Sequence, residues 1–388
     1  MYQVKRFKGR PVKFLSVPPA RVVGMSGTGR RPTLKDIAAE TGLSMAAVSY
    51  ALRGLHGTPE TRQRVQDAAD RLGYQADPVA RALASGRSGS VGVLCASLED
   101  LWQQRVAAAL GRELLAPDRN AWIIDSAGDA DRQLELAQHL VDHRADAIVV
   151  IPIDPAAKGW AEIAEQAPVI AIGDALPGAK AKSEVVLDNE TGVTTALRRL
   201  TTAGHHDLAI LIPTRRLAAG QGDLAAPTST HRLDVEQSDA VQPRPVAWRP
   251  AEELAQRVAG ELGLRLQLLQ CPHDLAGATE VARTLLTGPS RPTGILALAD
   301  SMAFGVYAAA RELGLRIPDD LSLLGYDDQP MSQLLTPPLS TFHWPLDALV
   351  SHVVARVTSA VDTNRRVRRT TLTPTLIERG SVAAPPTH

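Results

Sequence analysis

The chain is short of cysteine, of net charge and of long apolar runs, and each shortage narrows what it can be. Its two cysteines, Cys95 and Cys271, stand far apart in 388 residues, so a disulfide framework is excluded and a reducing, cytoplasmic compartment is expected. Cys271-Pro272-His273 offers two types of metal ligand, but with no second cluster the pair reads as structural, and no metal or cofactor is expected. No apolar run approaches the roughly 20 residues of a membrane span. There is also no nucleophile elbow, no Gly-rich phosphate loop and no two-Cys, two-His array, so nothing points to an enzyme.

The 42 basic and 42 acidic residues cancel, which argues against a dedicated nucleic-acid coat protein. Their distribution is uneven. Residues 1–32 hold eight Lys or Arg and no acid, residues 33–88 hold seven against six, and the remainder is net acidic by nine. The basic arm, broken by Pro11, Pro18 and Pro19, has no periodicity and is expected to be disordered. Its apolar stretch, Phe14 to Val17, is too short for an export signal. A start at Met25 rather than Met1 would leave only a short arm.

What is present begins at Thr33. Thr33-Leu34-Lys35-Asp36 is a capping-box start, with the Thr33 hydroxyl placed for a free backbone N–H. Leu34, Ile37 and Ala38 share a helical face until Gly42 stops the run, and Ser44 caps a second short helix carrying Ala47, Val48, Ala51 and Leu52. Two short helices around a Gly are the helix-turn-helix pattern, whose second helix enters the major groove. Thr58-Pro59-Glu60 opens a third helix that ends at Gly73, and its Val65, Ala68, Ala69 and Leu72 are spaced to close the core. Asp77-Pro78 starts a fourth helix, too short to stand alone.

The order Thr33-Leu34-Lys35-Asp36-Ile37-Ala38, Gly42-Leu43-Ser44, Val48-Ser49, Thr61-Arg62, Leu72-Gly73-Tyr74, Pro78, Ala80 and Leu83-Ala84 resembles the lactose-repressor family of bacterial transcription regulators. The resemblance implies that Met45, Ala46 and Tyr50 touch bases, that Ser44 and Ser49 lie near phosphates, and that Leu83 wedges into a minor-groove step and bends the duplex. Thr33 is a further DNA-binding candidate, and Arg53, three residues after Tyr50 on the same helical face, is expected to reach either a base edge or a phosphate. Alternatively, Met45 and Tyr50 pack on the first helix. Many members of the family carry Arg where this chain has Tyr50; a bidentate grip on guanine is thereby replaced by one hydroxyl and an apolar ring.

Beyond residue 90 the chain alternates apolar strands with amphipathic helices, the signature of parallel sheets covered on both faces. The fold class is α/β: an all-α helix-turn-helix headpiece with a hinge helix, then two doubly wound lobes of periplasmic-binding-protein-like architecture. The expected divisions are an arm (1–32), a headpiece (33–76), a hinge and linker (77–89), a two-lobed effector and dimerisation domain (90–380) and a tail (381–388). Val186-Leu187-Asp188-Asn189, Asp300-Ser301-Met302-Ala303 and Gly325-Tyr326-Asp327-Asp328 continue the resemblance. It implies three crossings between lobes, the near lobe holding residues 91–189 and 346–363 and the far lobe the rest, including one strand over Thr371 to Glu378.

Ligands in doubly wound folds sit beyond the carboxyl ends of strands. That rule selects Ser97, Trp102, Ser126, Ile153, Gly173 or Asp174, Arg232, Asp300, Asp327 and Trp344 as effector-binding candidates, with Trp102 and Trp344 offering ring faces for stacking. Asp300 and Asp188 serve equally well as caps. Several groups that fix sugar hydroxyls in the family are replaced here, Ala299 standing where Asn is common. The implied function is a sequence-specific repressor, a homodimer on double-stranded operator DNA, whose affinity is tuned by a small molecule, a sugar or related metabolite. A regulator with a degenerate cleft and a solute-binding protein are the alternatives, and the headpiece speaks against the second.

Overall fold

The structure, a computed structural model, describes residues 32–52, 54, 56–74, 86–116, 119–214 and 251–386. The basic arm, Arg53, the hinge helix with Leu83 and the segment with Arg232 lie outside the described residues. The chain divides into two units after Ala80, and each is described by itself.

In the headpiece, α1 (Leu34–Thr41), α2 (Met45–Leu52) and α3 (Pro59–Leu72) enclose a small core of Ile37, Val48, Ala51, Val65, Ala68 and Ala69. The stops are where the glycines are. Gly42 and Gly73 hold left-handed φ of 70° and 65°, which a side chain disfavours. The Asp36 carboxylate accepts from the Thr33 N–H and from the Thr33 hydroxyl, each at 2.7 Å.

The near lobe of the larger unit is built from β1 (Ser90–Cys95), α4 (Leu101–Glu113), β2 (Asn120–Asp125), α5 (Ala130–Asp142), β3 (Ala147–Val150), α6 (Gly159–Gln166), β4 (Val169–Gly173) and β5 (Ser183–Leu187). The far lobe follows with α7 (Asn189–Thr202), β6 (Asp207–Pro213), α8 (Ala251–Leu262), β7 (Arg265–Cys271), α9 (Leu275–Thr287), β8 (Gly294–Ala297), α10 (Asp300–Glu312) and β9 (Ser322–Leu324). After β10 (Thr341–His343), α11 (Leu346–Thr363) returns to the near lobe, and β11 (Thr370–Leu372) and β12 (Thr375–Ile377) end the regular structure. The near sheet has the order β11-β5-β4-β3-β1-β2 and the far sheet β7-β6-β8-β9. Both are wholly parallel.

The expected single strand over Thr371 to Glu378 is corrected by the structure. It breaks at Thr373-Pro374: β11 adds to the near sheet beside β5, and β12 pairs antiparallel with β10. Pro374 has no N–H to give to a ladder, so the chain crosses there and β11 belongs to the near lobe. The residues set apart as a tail are also part of the far lobe. Ser381 is wholly buried, and its hydroxyl bridges the Leu323 carbonyl at 2.6 Å and the Ser340 N–H at 2.8 Å.

His205 fastens the same segment. Its Nε2 donates to the Ala383 carbonyl at 2.9 Å and its Nδ1 lies 2.9 Å from the Thr293 hydroxyl. Burial holds the imidazole pKa below its ordinary value. A histidine depressed on folding contributes stability that is complete above its unfolded pKa, about 6.5, and is lost as the pH falls below that value. His205→Gln is therefore expected to lower the melting temperature at pH 8 and to flatten its decline towards pH 5. Parallel pH profiles for the variant and the parent would assign the acid sensitivity elsewhere.

Candidate functional site

Val48 and Ala51 anchor α2 in the headpiece core, and this fixes which residues face outward. Met45 is 56% and Tyr50 42% exposed, while Ser44 and Ala46 are exposed and Ser49 half-buried. Neither Met45 nor Tyr50 is buried against α1. Ser44 Oγ accepts the Ala47 N–H at 3.1 Å, capping the helix. The Tyr50 ring meets His56 edge-on, with centroids 5.3 Å apart at 88°. His56, which the sequence patterns do not single out, thus borders the outward face. A short helix with a rigid inner face and an exposed, mixed apolar and hydroxyl outer face suits contact with base edges and phosphates.

In the larger unit, the described candidate residues lie at or after the carboxyl ends of the strands. Asp100 caps α4, accepting the Trp102 N–H at 2.8 Å, and the Gln103 amide donates to its second oxygen at 3.0 Å. The Asp100 carboxylate faces His273 of the far lobe at 4.0 Å, and His273 Nδ1 lies 3.1 Å from the Ser301 hydroxyl. A second bridge runs from the Arg105 guanidinium to the Asp328 carbonyl at 3.3 Å. Asp327 accepts the Asp300 N–H at 3.0 Å. Burial first, then the negative charges of Asp100 and Asp300, push the Asp327 carboxyl well above the usual carboxylate range.

Two candidates are corrected. Asp300 is fully buried, and both of its oxygens are taken: Oδ1 by the Thr341 hydroxyl at 2.6 Å and the Tyr326 N–H at 2.9 Å, Oδ2 by the Ser332 hydroxyl at 2.6 Å and the Gln329 N–H at 2.8 Å. Asp300 organises the loops after β8 and β9 and has no lone pair left for a ligand. Trp344 is also committed to the core, its indole N–H donating to the Tyr326 carbonyl at 3.2 Å and its ring edge-on to Tyr326 at 5.8 Å. Asp188 is a cap, taking the Thr191 N–H at 3.0 Å.

Ser97 and Asp174 are half-buried at the ends of β1 and β4. Ser97 Oγ accepts the Glu99 N–H at 3.1 Å. Trp102 is 8% exposed, yet its indole N–H has no partner, and the same holds for the Ser126 hydroxyl and the Gln329 side-chain NH2. A buried donor left unsatisfied costs about 1–3 kcal/mol. An acceptor supplied by a ligand recovers that cost. Gln329 was missed in the sequence because a lone Gln after an acidic turn carries no pattern.

Both thiols are buried. Burial pushes Cys95 and Cys271 up to about 12, far from the thiolate needed for a nucleophile. Among the described residues no three His, Cys, Asp or Glu side chains are grouped to hold a metal ion, and no helix is long and apolar enough to cross a membrane.

Residues 197–382 match the family described as a periplasmic binding protein-like domain. The chain is 26% identical to the ribose operon repressor of Haemophilus influenzae over 353 residues, covering 90% of this chain and 98% of that protein. It is 24% identical to catabolite control protein A of Priestia megaterium over 318 residues, covering 81% and 88%. Over most of its length the chain is thus similar to regulators of the lactose-repressor family. Its fold agrees with that of a solved member: the lac repressor dimer bound to operator and an anti-inducer superposes with a TM-score of 0.71 at 18% identity, covering 92% of this chain and all of that one. A cellobiose complex of the regulator CelR superposes at 0.59, again with 18% identity, over 90% of this chain. The lactose-repressor fold places the two clusters described above, the outer face of α2 and the group of polar residues between lobes, on separate units of one chain.

Proposed function

We propose that the protein is a sequence-specific transcriptional repressor, cytoplasmic, whose grip on operator DNA is tuned by a small molecule held between its two α/β lobes. The observation that carries this reading is the exposed outer face of α2, where Met45, Ala46 and Tyr50 project from a helix pinned by Val48 and Ala51. In the DNA-bound state Thr33, Ser44 and Ser49 serve phosphates, Arg53 a phosphate or a base edge, and Leu83 the minor groove. Base reading by Tyr50 makes a direct demand. Selection from a randomised duplex library should show Tyr50→Ala relaxing preference at one half-site position by about 1 to 3 kcal/mol, with Tyr50→Phe intermediate. An unchanged consensus would reduce Tyr50 to a packing residue.

The effector reading rests on Ser97, Trp102, Asp174, Arg232 and Asp327, with Trp102, Ser126 and Gln329 bringing unsatisfied polar atoms. A sugar or related metabolite supplies the acceptors they need. The ligand-independent alternative is favoured by one observation: Asp300 and Trp344 are wholly engaged by their own lobe.

A homodimer completes the reading. Its support is an apolar edge on the near lobe, where Leu115, Trp122 and Ile123 are 61%, 40% and 43% exposed on and before β2, the outermost strand of its sheet. Exposed apolar edge strands are covered by partners in native proteins. Sedimentation should give a dimer at micromolar concentration and a monomer for Ile123→Glu. A dimer that survives Ile123→Glu with unaltered affinity places the interface elsewhere.

A further inference from the structure

Because all six strands of the near sheet are parallel, their amino ends lie on one edge. Five of the six strands are entered through a cation within three residues: Arg87 before β1, Arg119 before β2, Arg144 before β3, Lys182 before β5 and Arg369 before β11. The acids there are occupied. Asp146 accepts the N–H groups of Ser88 and Gly89 at 2.8 and 2.9 Å. Asp362 takes Arg87 and Arg119, at 2.7 and 2.8 Å, and Glu184 takes Arg369 at 2.8 Å.

The charge that remains is positive and concentrated in one loop. Between α11 and β11 the chain reads Asn364-Arg365-Arg366-Val367-Arg368-Arg369, four arginines without an acid. Arg365, Arg366 and Arg368 are exposed, and among the described residues no carboxylate lies within ion-pairing distance of them. The loop is held in place. Val367 N–H donates to the Lys182 carbonyl at 3.0 Å, and Lys182 Nζ donates to the Asn364 side chain at 2.8 Å. Behind it Arg356, 5% exposed, donates to the Ser183 hydroxyl at 2.7 Å, the His352 carbonyl at 2.9 Å and the Arg368 carbonyl at 3.2 Å. A buried guanidinium bonded to neutral oxygens leaves its own charge uncompensated and adds to the field at the loop. The loop lines an open recess of about 440 Å³ together with Ser183 and Glu184.

The position of the loop bears on its partner. Arg87 stands where the tether from the headpiece joins the lobe, and its ion pair with Asp362 ties that junction to the end of α11, the helix that delivers the loop. We infer that Arg365, Arg366 and Arg368 form a second, sequence-independent DNA contact, taking backbone phosphates of the duplex beside the site read by the headpiece. The inference rests on the DNA-binding reading of α2. A duplex presents about one charge per 1.7 Å of axis, which suits exposed guanidinium groups strung along a loop. A small phosphorylated metabolite would call for groups converging on one point. The contact also offsets the acidity of the remainder of the chain, whose field repels DNA.

The test uses the full chain and a 60-base-pair duplex of random sequence, with affinity followed against KCl by fluorescence anisotropy. The triple variant Arg365→Gln, Arg366→Gln, Arg368→Gln is expected to lower the salt slope by about 2 to 3, roughly 0.9 per phosphate released, and to weaken binding at least about tenfold at low salt. Its thermal unfolding should match the parent's. A far-lobe triple with the same charge change, Arg198→Gln, Arg291→Gln, Arg311→Gln, is expected to keep the parental slope. Equal slopes for parent and loop triple, or equal losses in the two triples, overturn the inference. So does calorimetric binding of inorganic phosphate that the loop triple abolishes while its DNA slope stays parental, since the loop is then a free-phosphate site. A parent chain that binds no duplex at all defeats the headpiece reading and this inference with it. A parent that binds, with a loop triple indistinguishable from it, defeats this inference alone.

Discussion

Asp300→Ala is expected to cost the far lobe about 4 kcal/mol or more, read as a fall in the urea midpoint and in the melting temperature. The carboxylate accepts from two hydroxyls and from the N–H groups of Tyr326 and Gln329 at 2.6 to 2.9 Å, with the Asp327 N–H at 3.3 Å as a fifth donor. Removing the acceptor leaves these donors buried and facing each other. Each stranded donor costs about 1–3 kcal/mol before water enters, so the sum exceeds what an ordinary core truncation removes. Asp300→Asn should recover only part of the loss, because its NH2 group faces donors that it cannot serve. A loss below about 1 kcal/mol for Asp300→Ala would show that the loops after β8 and β9 are held by something other than this carboxylate.

The second large effect is expected at Gly305, on the inner face of α10. A Cβ there would lie 2.5 Å from the Ala278 Cβ, 2.6 Å from the Ala278 carbonyl carbon and 2.8 Å from the Thr279 nitrogen of α9. Two of those atoms are backbone, so relief requires the helices to separate. Gly305→Ala is therefore expected to destabilise by about 3 kcal/mol, the upper part of the overpacking range. Gly260→Ala is the counterpart. Gly260 is exposed on α8 with nothing within 4 Å of a Cβ, so alanine should instead stabilise by up to about 1 kcal/mol through helix propensity alone. Equal responses at the two positions would mean that α9 and α10 do not cross as closely as described.

These two sites mark where the sequence stops being legible. Headpiece helices, their glycine stops and the succession of strands and helices along both lobes follow from periodicity, because a strand buried on both faces reads as an apolar run and a helix as a spaced one. The carboxyl-end rule selected Trp102, Ser97 and Asp327, whose part in effector binding is a proposal. It also brought out Asp300 and Trp344, which the structure turns inward, since a strand-end position fixes where a side chain starts and not which neighbours satisfy it. Gly305 carries no mark distinguishing it from Gly260, because close approach of two helices is a property of the pair. Pro374 lay inside the single strand expected over Thr371 to Glu378, and the exchange of sheets across it depends on partners more than 180 residues upstream, Val185 to Leu187 on one side.

The segment after α11 gives the fold an order of completion. β11 is the edge strand of the near sheet, and residues 379–383 lie along β9 at the edge of the far sheet, with the Leu323 N–H donating to the Ser381 carbonyl at 2.8 Å. Both closures come from chain that is synthesised after every other strand of the two sheets. Until it emerges, each lobe presents an unpaired strand edge to any other chain nearby. Premature termination or clipping near Glu378 therefore does more than remove a few residues: it leaves the far lobe with an open flank at which association with a second defective copy can begin.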